Sequence, residues 1–239
     1  MKILILCAGT GSRMLINYPK SLLKYNKETI LKKIYNNFIK SGITNKNIFF
    51  ATGFKKNLIK KEIGKNANYI NNPMYASTNM VYTFMKAVKN IDDDILVSYS
   101  DLIYSKENIK RLIKNRNDFV TIVDKKWMQV WKKKKKLEYD SETLLLRKNI
   151  ITELGKKTKN IKSIDARFVG LTKISREVME SIKKFYYENL KKNPKKFRKI
   201  DMTNFFNLLI KNGIKLYSLN IIGNWKEYDD EIDLNFKFK

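Results

Sequence analysis

The sequence predicts an α/β fold, a doubly wound, mostly parallel mixed sheet with a small α+β insertion and lid. Three observations carry that expectation. Short apolar runs of strand length alternate with stretches of helical period. The first of these runs, Ile5-Leu6-Cys7-Ala8, breaks into a glycine loop. The 239 residues suffice for one sizeable core, so a single domain over 1–239 is expected, with the insertion at about 124–165.

The elements follow in chain order. Residues 2–6 are apolar enough for a buried parallel strand, and 29–41 carry Ile30, Ile34 and Phe38 at helical spacing before Gly42. A strand at 47–52 ends at Gly53, a short helix at 55–62 is stopped by Gly64, and 68–71 form a third strand. Residues 78–89 read as helix, 95–100 as a strand ending at Asp101, 106–114 as helix and 119–123 as strand. After Asp124 the rhythm breaks: 125–139 is cationic, holds Trp127 and Trp131, and matches neither helix nor strand, so it is read as an insertion. Residues 144–148 and 150–154 flank Asn149 as a hairpin, 166–172 return to strand character, and 175–189 and 202–212 are amphipathic helices. A strand at 215–219 follows Gly213.

Composition narrows the chemistry. Fifty Lys and Arg against 23 Asp and Glu give a formal charge of +27, which by itself suggests a polyanion-binding module for nucleic acid or anionic membrane. The positive charge is mostly lysine spread along the whole chain, without a nucleic-acid-binding motif. Its expected consequence is therefore attraction of small polyanions that weakens with salt, with no specific nucleic acid or membrane as partner. No run approaches the roughly 18 to 20 apolar residues of a membrane span, and Met-Lys-Ile-Leu-Ile-Leu is too short for a signal peptide. A cytoplasmic monomer or homodimer is expected. Cys7 is the only cysteine, so no internal disulfide forms and a buried thiol is the default. Histidine is absent, which removes Ser-His-Asp and Cys-His hydrolysis, His metal sites and imidazole acid/base catalysis.

The glycine loop carries the most functional information. Gly9 and Gly11 let the backbone bend and approach a bound group, and Arg13 and Lys20 add two cations beside it, a combination suited to a polyphosphate. The order is neither G-x-x-x-x-G-K-[ST] nor G-x-G-x-x-G, since position 14 is Met14. In Ser98-Tyr99-Ser100-Asp101 a carboxylate ends a strand, where it either holds Mg²⁺ or caps the following segment. Trp225-Lys226-Glu227-Tyr228-Asp229-Asp230-Glu231 is a second acidic cluster, most simply an N-cap for a last helix.

Together, A-G-x-G-x-R-M and the following P-K-S-L resemble the signature of nucleotidyltransferases of the sugar-nucleotide pyrophosphorylase type, a Rossmann-like superfamily. The resemblance runs on through Asn72-Pro73-Met74-Tyr75, Thr78-Asn79-Met80-Val81-Tyr82, Ser100-Asp101, Glu153-Leu154-Gly155-Lys156-Lys157, Phe168-Val169-Gly170-Leu171, Asp201-Met202-Thr203 and Trp225 to Asp229. This looks like the branch that activates phosphocholine and phosphonates with CTP. Trp127-x-x-x-Trp131 and Asp140-Ser141-Glu142-Thr143 favour the phosphonate cytidylyltransferases within it.

By position, the resemblance implies that Leu6, Ala8, Gly9, Thr10, Gly11, Ser12, Thr52, Gly53, Thr78, Asn79 and Ser100 surround the nucleotide. Arg13 would contact the outer phosphates, Lys20 the α-phosphate, and Lys156 the phosphoryl group of the second substrate. Asp101 and Asp229 would bind the catalytic Mg²⁺, with Asp230 the alternative to Asp229. Tyr104, Trp127, Trp131 and Trp225 would surround the remote end of the acceptor, where aromatic faces attract ammonium groups, or else pack in the core. Glu142 and Asp201 would add carboxylates, although Asp201 before Met202 also suits a helix cap. The sequence departs from the family at Asp165-Ala166-Arg167, where Gly followed by a neutral residue is usual. Arg167 either contacts a more anionic substrate or pairs with Asp165.

The implied reaction is CTP-dependent transfer of CMP to a small phosphonate, most simply 2-aminoethylphosphonate, with release of pyrophosphate, for attachment to a cell-surface lipid or glycan. Phosphocholine or another small phosphorylated amine or amide is the alternative acceptor, and a sugar 1-phosphate a further one. The missing histidine fits, because a phosphate-like nucleophile with a second pKa of about 6 is already ionised at neutral pH and needs no general base.

Overall fold

The first strand sets the plan. Ile3, Ile5 and Cys7 point to one face and Leu4 and Leu6 to the other, all nearly inaccessible to water, so a strand of unbroken apolar character must lie at the centre of a sheet covered on both sides. The computed structural model describes residues 1–11, 17–133, 141–229 and 233. Its elements are β1 (Lys2–Cys7), β2 (Lys24–Tyr25), β3 (Glu28–Thr29), α1 (Ile30–Lys40), β4 (Ile48–Thr52), α2 (Lys56–Ile63), β5 (Asn68–Asn71), α3 (Met80–Val88), β6 (Ile95–Tyr99), β7 (Leu102–Tyr104), α4 (Lys106–Ile113) and β8 (Phe119–Asp124). The second half adds α5 (Trp127–Lys133), β9 (Glu142–Arg147), β10 (Ile150–Lys157), β11 (Arg167–Ile174), α6 (Arg176–Lys192), α7 (Pro194–Lys199), α8 (Met202–Lys211), β12 (Leu216–Ile221) and β13 (Trp225–Glu227).

Nine strands form one sheet in the order β5-β4-β1-β6-β11-β8-β12-β10-β9. β1, β4, β5 and β6 are parallel, β11 runs antiparallel between β6 and β8, and β12 is parallel to β8. One core cluster packs Ile3, Ile5 and Cys7 against α1, α2, α4 and α5, and the other packs Leu4 and Leu6 against α3, α6, α7 and α8. The doubly wound mixed sheet is therefore as expected. The hairpin β9–β10 joins the sheet as its outer pair.

The chain leaves β1 for β4 and β5 on one side and returns to β6 on the other. Loops after β1 and β6 consequently diverge, which opens a crevice beyond their carboxyl ends. Two short strands outside the main sheet finish this edge. β13 pairs antiparallel with β7, with Glu227 opposite Leu102 and Trp225 opposite Tyr104.

One local expectation is corrected. Residues 127–133 are helical, because Trp127 and Trp131, four apart, bury themselves on one face and leave the lysines outward; the cationic composition had hidden that pattern. Residues 225–227 at the start of the acidic cluster form strand β13 on the available edge of β7, and Asp233 beyond the cluster is helical. Residues 134–140 and 230–232 lie outside the described residues.

Gly170 in β11 packs closely against Leu102 of β7 and Tyr99 of β6. It sits at φ +70°, and a Cβ there would stand 2.6 Å from Leu102 and 2.9 Å from Tyr99. Gly170→Ala is expected to cost about 2 kcal/mol or more, from backbone strain plus displacement of packed side chains. Urea unfolding of the variant beside wild type measures it.

Candidate functional site

Lys20 lies at the start of a 3-10 turn after Pro19, and its position is tied to the glycine loop. Gly11 has φ +67°, and a Cβ on it would come within 3.0 Å of the Lys20 Cβ. At Gly9, by contrast, an added Cβ would meet nothing within 4 Å, so the loop leaves open space there. The Lys20 ammonium donates to Asp101 Oδ2 at 2.7 Å and to Asp229 Oδ1 at 2.8 Å. All three side chains are largely buried, at 13%, 20% and 8% exposure. The ladder between β7 and β13 brings the carboxylates together: it continues past Glu227 as Tyr228 N–H donates to the Asp101 carbonyl at 3.0 Å, so the next residue is Asp229. The Asp229 amide in turn donates to Asp233 Oδ2 at 2.7 Å.

Burial alone would lower the Lys20 pKa, but the two carboxylates outweigh it and hold the ammonium well above the usual lysine range. Lys20 is therefore a permanent cation across neutral and mildly alkaline pH. The second oxygen of Asp101, Oδ1, is buried and has no hydrogen-bond partner among the described residues. A buried carboxylate oxygen without a donor is costly, and an added cation would satisfy it. Two carboxylates are few for an all-protein metal cage, and among the described residues no cluster of three such ligands exists. They do suit Mg²⁺, which is usually held by one or two carboxylates together with substrate phosphates.

A cavity of about 360 Å³ opens beside this cluster. Leu6, Ala8, Gly9, Thr10 and Gly11 form one wall, Thr78 and Asn79 the opposite one, and Lys20, Ser100 and Asp101 the end. Asn79 caps α3 through its own side chain, with Oδ1 accepting from the Met80 N–H at 2.7 Å, and donates to the Lys199 carbonyl, which fixes that wall to α7. Cys7 also lines the cavity, and burial pushes its thiol well up, so it is an inert neutral group. Thr52 and Gly53 are not brought here. Thr52 is fully buried and Gly53 borders a separate surface cavity with Lys55 and Tyr75. Ser12 and Arg13 fall outside the described residues.

A second cavity of about 290 Å³ adjoins the first, with Tyr99 and Met80 lining both. Burial, and then the carboxylates of Asp101, Asp201, Glu142 and Glu227, push the Tyr99 phenol well above its usual value, so the acids of both cavities converge on one neutral ring. Trp127, Glu142, Arg167 and Asp201 line this second space, as four of the sequence-derived substrate residues. Asp201 is also the cap of α8, accepting from the Asn204 N–H at 2.8 Å and the Thr203 hydroxyl at 3.1 Å.

The aromatic cage takes a different form from that expected. Tyr104 is buried and donates its hydroxyl to the Val169 carbonyl at 2.8 Å. Trp225 donates its indole N–H to Asp124 Oδ2 at 2.8 Å and stacks on Trp131, ring centroids 5.8 Å apart. Trp131 also meets Trp127 edge-on, ring centroids 6.2 Å apart, and the Arg167 guanidinium, 3.8 Å from its ring centroid. Trp131 is thus closed off by packing, and Tyr104, Trp131 and Trp225 border a different cavity behind the site. Arg167 pairs with Glu227 at 3.3 Å rather than with Asp165, whose Oδ2 accepts from the Leu146 N–H. Lys156 is also placed away from both cavities: it points outward from β10, half exposed, in an ion pair with Glu153. Sequence reasoning missed Tyr75, Met80, Thr83 and Tyr99 in the first cavity and Glu227 in the second. All but Thr83 carried a signal, since Tyr75, Met80, Tyr99 and Glu227 stand in the quoted segments.

Residues 3–163 match the model of the MobA-like NTP transferase domain, well over half of the chain. The chain belongs to this family. It is 30% identical to the CTP:phosphoglutamine cytidylyltransferase of Campylobacter jejuni, over 100% of both chains. Among solved structures, the CTP:phosphocholine cytidylyltransferase from Streptococcus pneumoniae superposes with a TM-score of 0.72 at 17% identity, covering 98% of this chain and 96% of that one. The inositol-1-phosphate CTP transferase from T. maritima gives 0.73 at 14% identity, covering 97% and 90%. These superpositions establish the common fold. This MobA-like chain is accordingly an enzyme, a nucleotidyltransferase of cytidylyltransferase-like kind, and the reading of a bare polyanion-binding module is set aside. Among the described residues no helix is long and apolar enough to cross a membrane.

Replacing Lys20 by Met would leave Asp101 and Asp229 facing each other without their shared cation. The variant is expected to lose about 3 kcal/mol of stability at neutral pH. Added Mg²⁺ should raise its thermal midpoint more than that of wild type, which differential scanning calorimetry with and without the metal would measure.

Proposed function

We propose that the chain transfers CMP from CTP to a phosphoryl oxygen of a small phosphorylated amine or amide. A phosphoryl oxygen of the acceptor attacks the α-phosphorus of CTP and forms a new P–O–P linkage. The bond from that phosphorus to the oxygen bridging to the β-phosphate breaks, and pyrophosphate leaves with the electron pair. The observation that carries the reading is the Lys20, Asp101 and Asp229 cluster, set beside the glycine-loop cavity where a second, charged cavity adjoins it.

The barrier to such a reaction is the approach of two anions. Unit charges about 4 Å apart interact by roughly 4 kcal/mol at an effective dielectric of 20. Lys20, protonated throughout the working range, offsets that repulsion and stabilises charge on the equatorial oxygens of the α-phosphorus. Family membership implies a Mg²⁺-dependent reaction, and Asp101 and Asp229 are the residues that would hold the ion; it supplies further positive charge to the phosphates when bound. The glycine loop offers backbone N–H groups and open space at Gly9 for the nucleotide. Arg13 completes the proposal as the cation for the outer phosphates.

The acceptor side favours a phosphorylated amine or amide over a simple alkylphosphonate. The full-length relative is named for phosphoglutamine and the solved relative for phosphocholine, both phosphorylated compounds. The phosphonate reading came from the likeness of the Trp127-x-x-x-Trp131 and Asp140–Thr143 segments, and the aromatic cage that would hold an ammonium on either acceptor is altered, since Trp131 packs against Arg167 and Trp225. Lys156, which forms an ion pair on the outer face of β10, is not assigned a role here.

Pyrophosphate release measured over a panel of nucleotides and acceptors should show preference for CTP and turnover with phosphorylated amines or amides; preference for sugar 1-phosphates would overturn the acceptor class. Asp101→Ala and Asp229→Ala should each lower kcat by at least ~100-fold, as should chelation of Mg²⁺ by EDTA. Because Lys20 stays charged and the acceptor's second ionisation lies near pH 6, kcat is expected to rise across about pH 5–7 and then level off to pH 9. A steep basic limb with a fully ionised acceptor would count against a mechanism free of a general base.

A further inference from the structure

The second cavity is built for both signs of charge. Glu142, Asp201 and Glu227 contribute carboxylates to its wall, and Arg167 contributes a guanidinium held flat by Trp131 at 3.8 Å and by Glu227 at 3.3 Å. Trp127 lines the same cavity from α5, only 1% exposed. Its indole Nε1 is buried and finds no acceptor among the described residues. Buried indole N–H groups usually have a partner, and Trp225 in the same aromatic cluster does, on Asp124 at 2.8 Å. The one at Trp127 therefore stands out as a donor kept in reserve.

We propose that Trp127 donates this N–H to an oxygen at the remote end of the acceptor, alongside the Arg167 guanidinium, while Asp201 and Glu142 receive the acceptor's ammonium group. The acceptor is then zwitterionic, a phosphorylated amino acid or its amide, and not a phosphorylated quaternary amine. A trimethylammonium head offers no acceptor atom to the indole N–H and gains nothing from Arg167. A carboxylate or amide carbonyl beside an ammonium uses every charged group on the wall. Trp127 in this arrangement reads the acceptor as a hydrogen-bond donor, whereas the motif alone suggested an aromatic face for a cation. The assignment rests on the second cavity being the acceptor site of the reaction proposed above.

The test compares O-phosphoserine, phosphoethanolamine and phosphocholine, which share a phosphate monoester and differ in carrying a carboxylate, neither addition, or three methyl groups. The chain has three tryptophans, so a ¹H–¹⁵N spectrum has at most three indole cross-peaks, and the one absent from Trp127→Phe belongs to Trp127. That peak should move downfield when O-phosphoserine is added to wild type with CMP and Mg²⁺ present, and should stay in place with phosphocholine. Kinetically, Trp127→Phe and Arg167→Gln should each raise KM for O-phosphoserine about tenfold with kcat changed less than about twofold, and raise KM for phosphoethanolamine several-fold less than that. An unmoved indole peak, an equal response to phosphocholine, or equal KM effects on all three acceptors would overturn the assignment. A selective indole shift with no pyrophosphate release from any acceptor would uphold the binding wall and overturn the reaction instead.

Discussion

Lys20 is fixed between two carboxylates, one of them 209 positions away in the chain, and the organisation of this molecule follows from the need to keep those three charges together in a largely buried place. Withdrawing one ammonium and two carboxylates from water is expensive, and only close pairing in good geometry repays it. The carbonyl and amide of Asp101 and Tyr228 do the aligning. Their hydrogen bond continues the β7–β13 ladder one step beyond Glu227 and thereby sets the separation of the two acids.

The same ladder links the two halves of the candidate site. Glu227, the last residue of β13, lines the second cavity and holds Arg167, which stacks on Trp131, which stacks on Trp225, the first residue of β13. Asp229 follows two residues after Glu227 and meets Lys20. One three-residue strand thus supports the charge pairing beside the glycine-loop cavity and the aromatic stack against Arg167 of the second cavity. Tyr99, kept neutral by its burial and then by acids of both cavities, lines the two of them.

Electrostatics rather than proton transfer suits this site. The chain has no histidine, and the buried Cys7 thiol beside the glycine-loop cavity is held neutral by burial. Phosphoryl chemistry tolerates this because the nucleophile is already an anion and the task is to overcome repulsion and align the groups. The large basic surplus of the chain assists by drawing polyanionic substrates in, while the selectivity lies in a few fixed charges.

The sequence by itself determined the alternation of strands and helices, the glycine loop, the end-of-strand position of Asp101 and the family. Each of these is written in local order: period-two and period-3.6 apolar patterns, residues that permit positive φ, and a short motif. It also singled out Lys20, Asp101 and Asp229 one at a time. Only the tertiary structure decided which side chains face each other. Helical burial of Trp127 and Trp131 was masked by surrounding lysines, and the strand at 225–227 exists because β7 offers it an edge. Arg167 found Glu227 and Trp131 across the sheet instead of its near neighbour Asp165, and Lys156 turned outward on a strand whose other face is covered by α8. Partner choice of this kind depends on long-range register and on the cost of leaving a charge unpaired in the interior, neither of which a run of consecutive residues encodes.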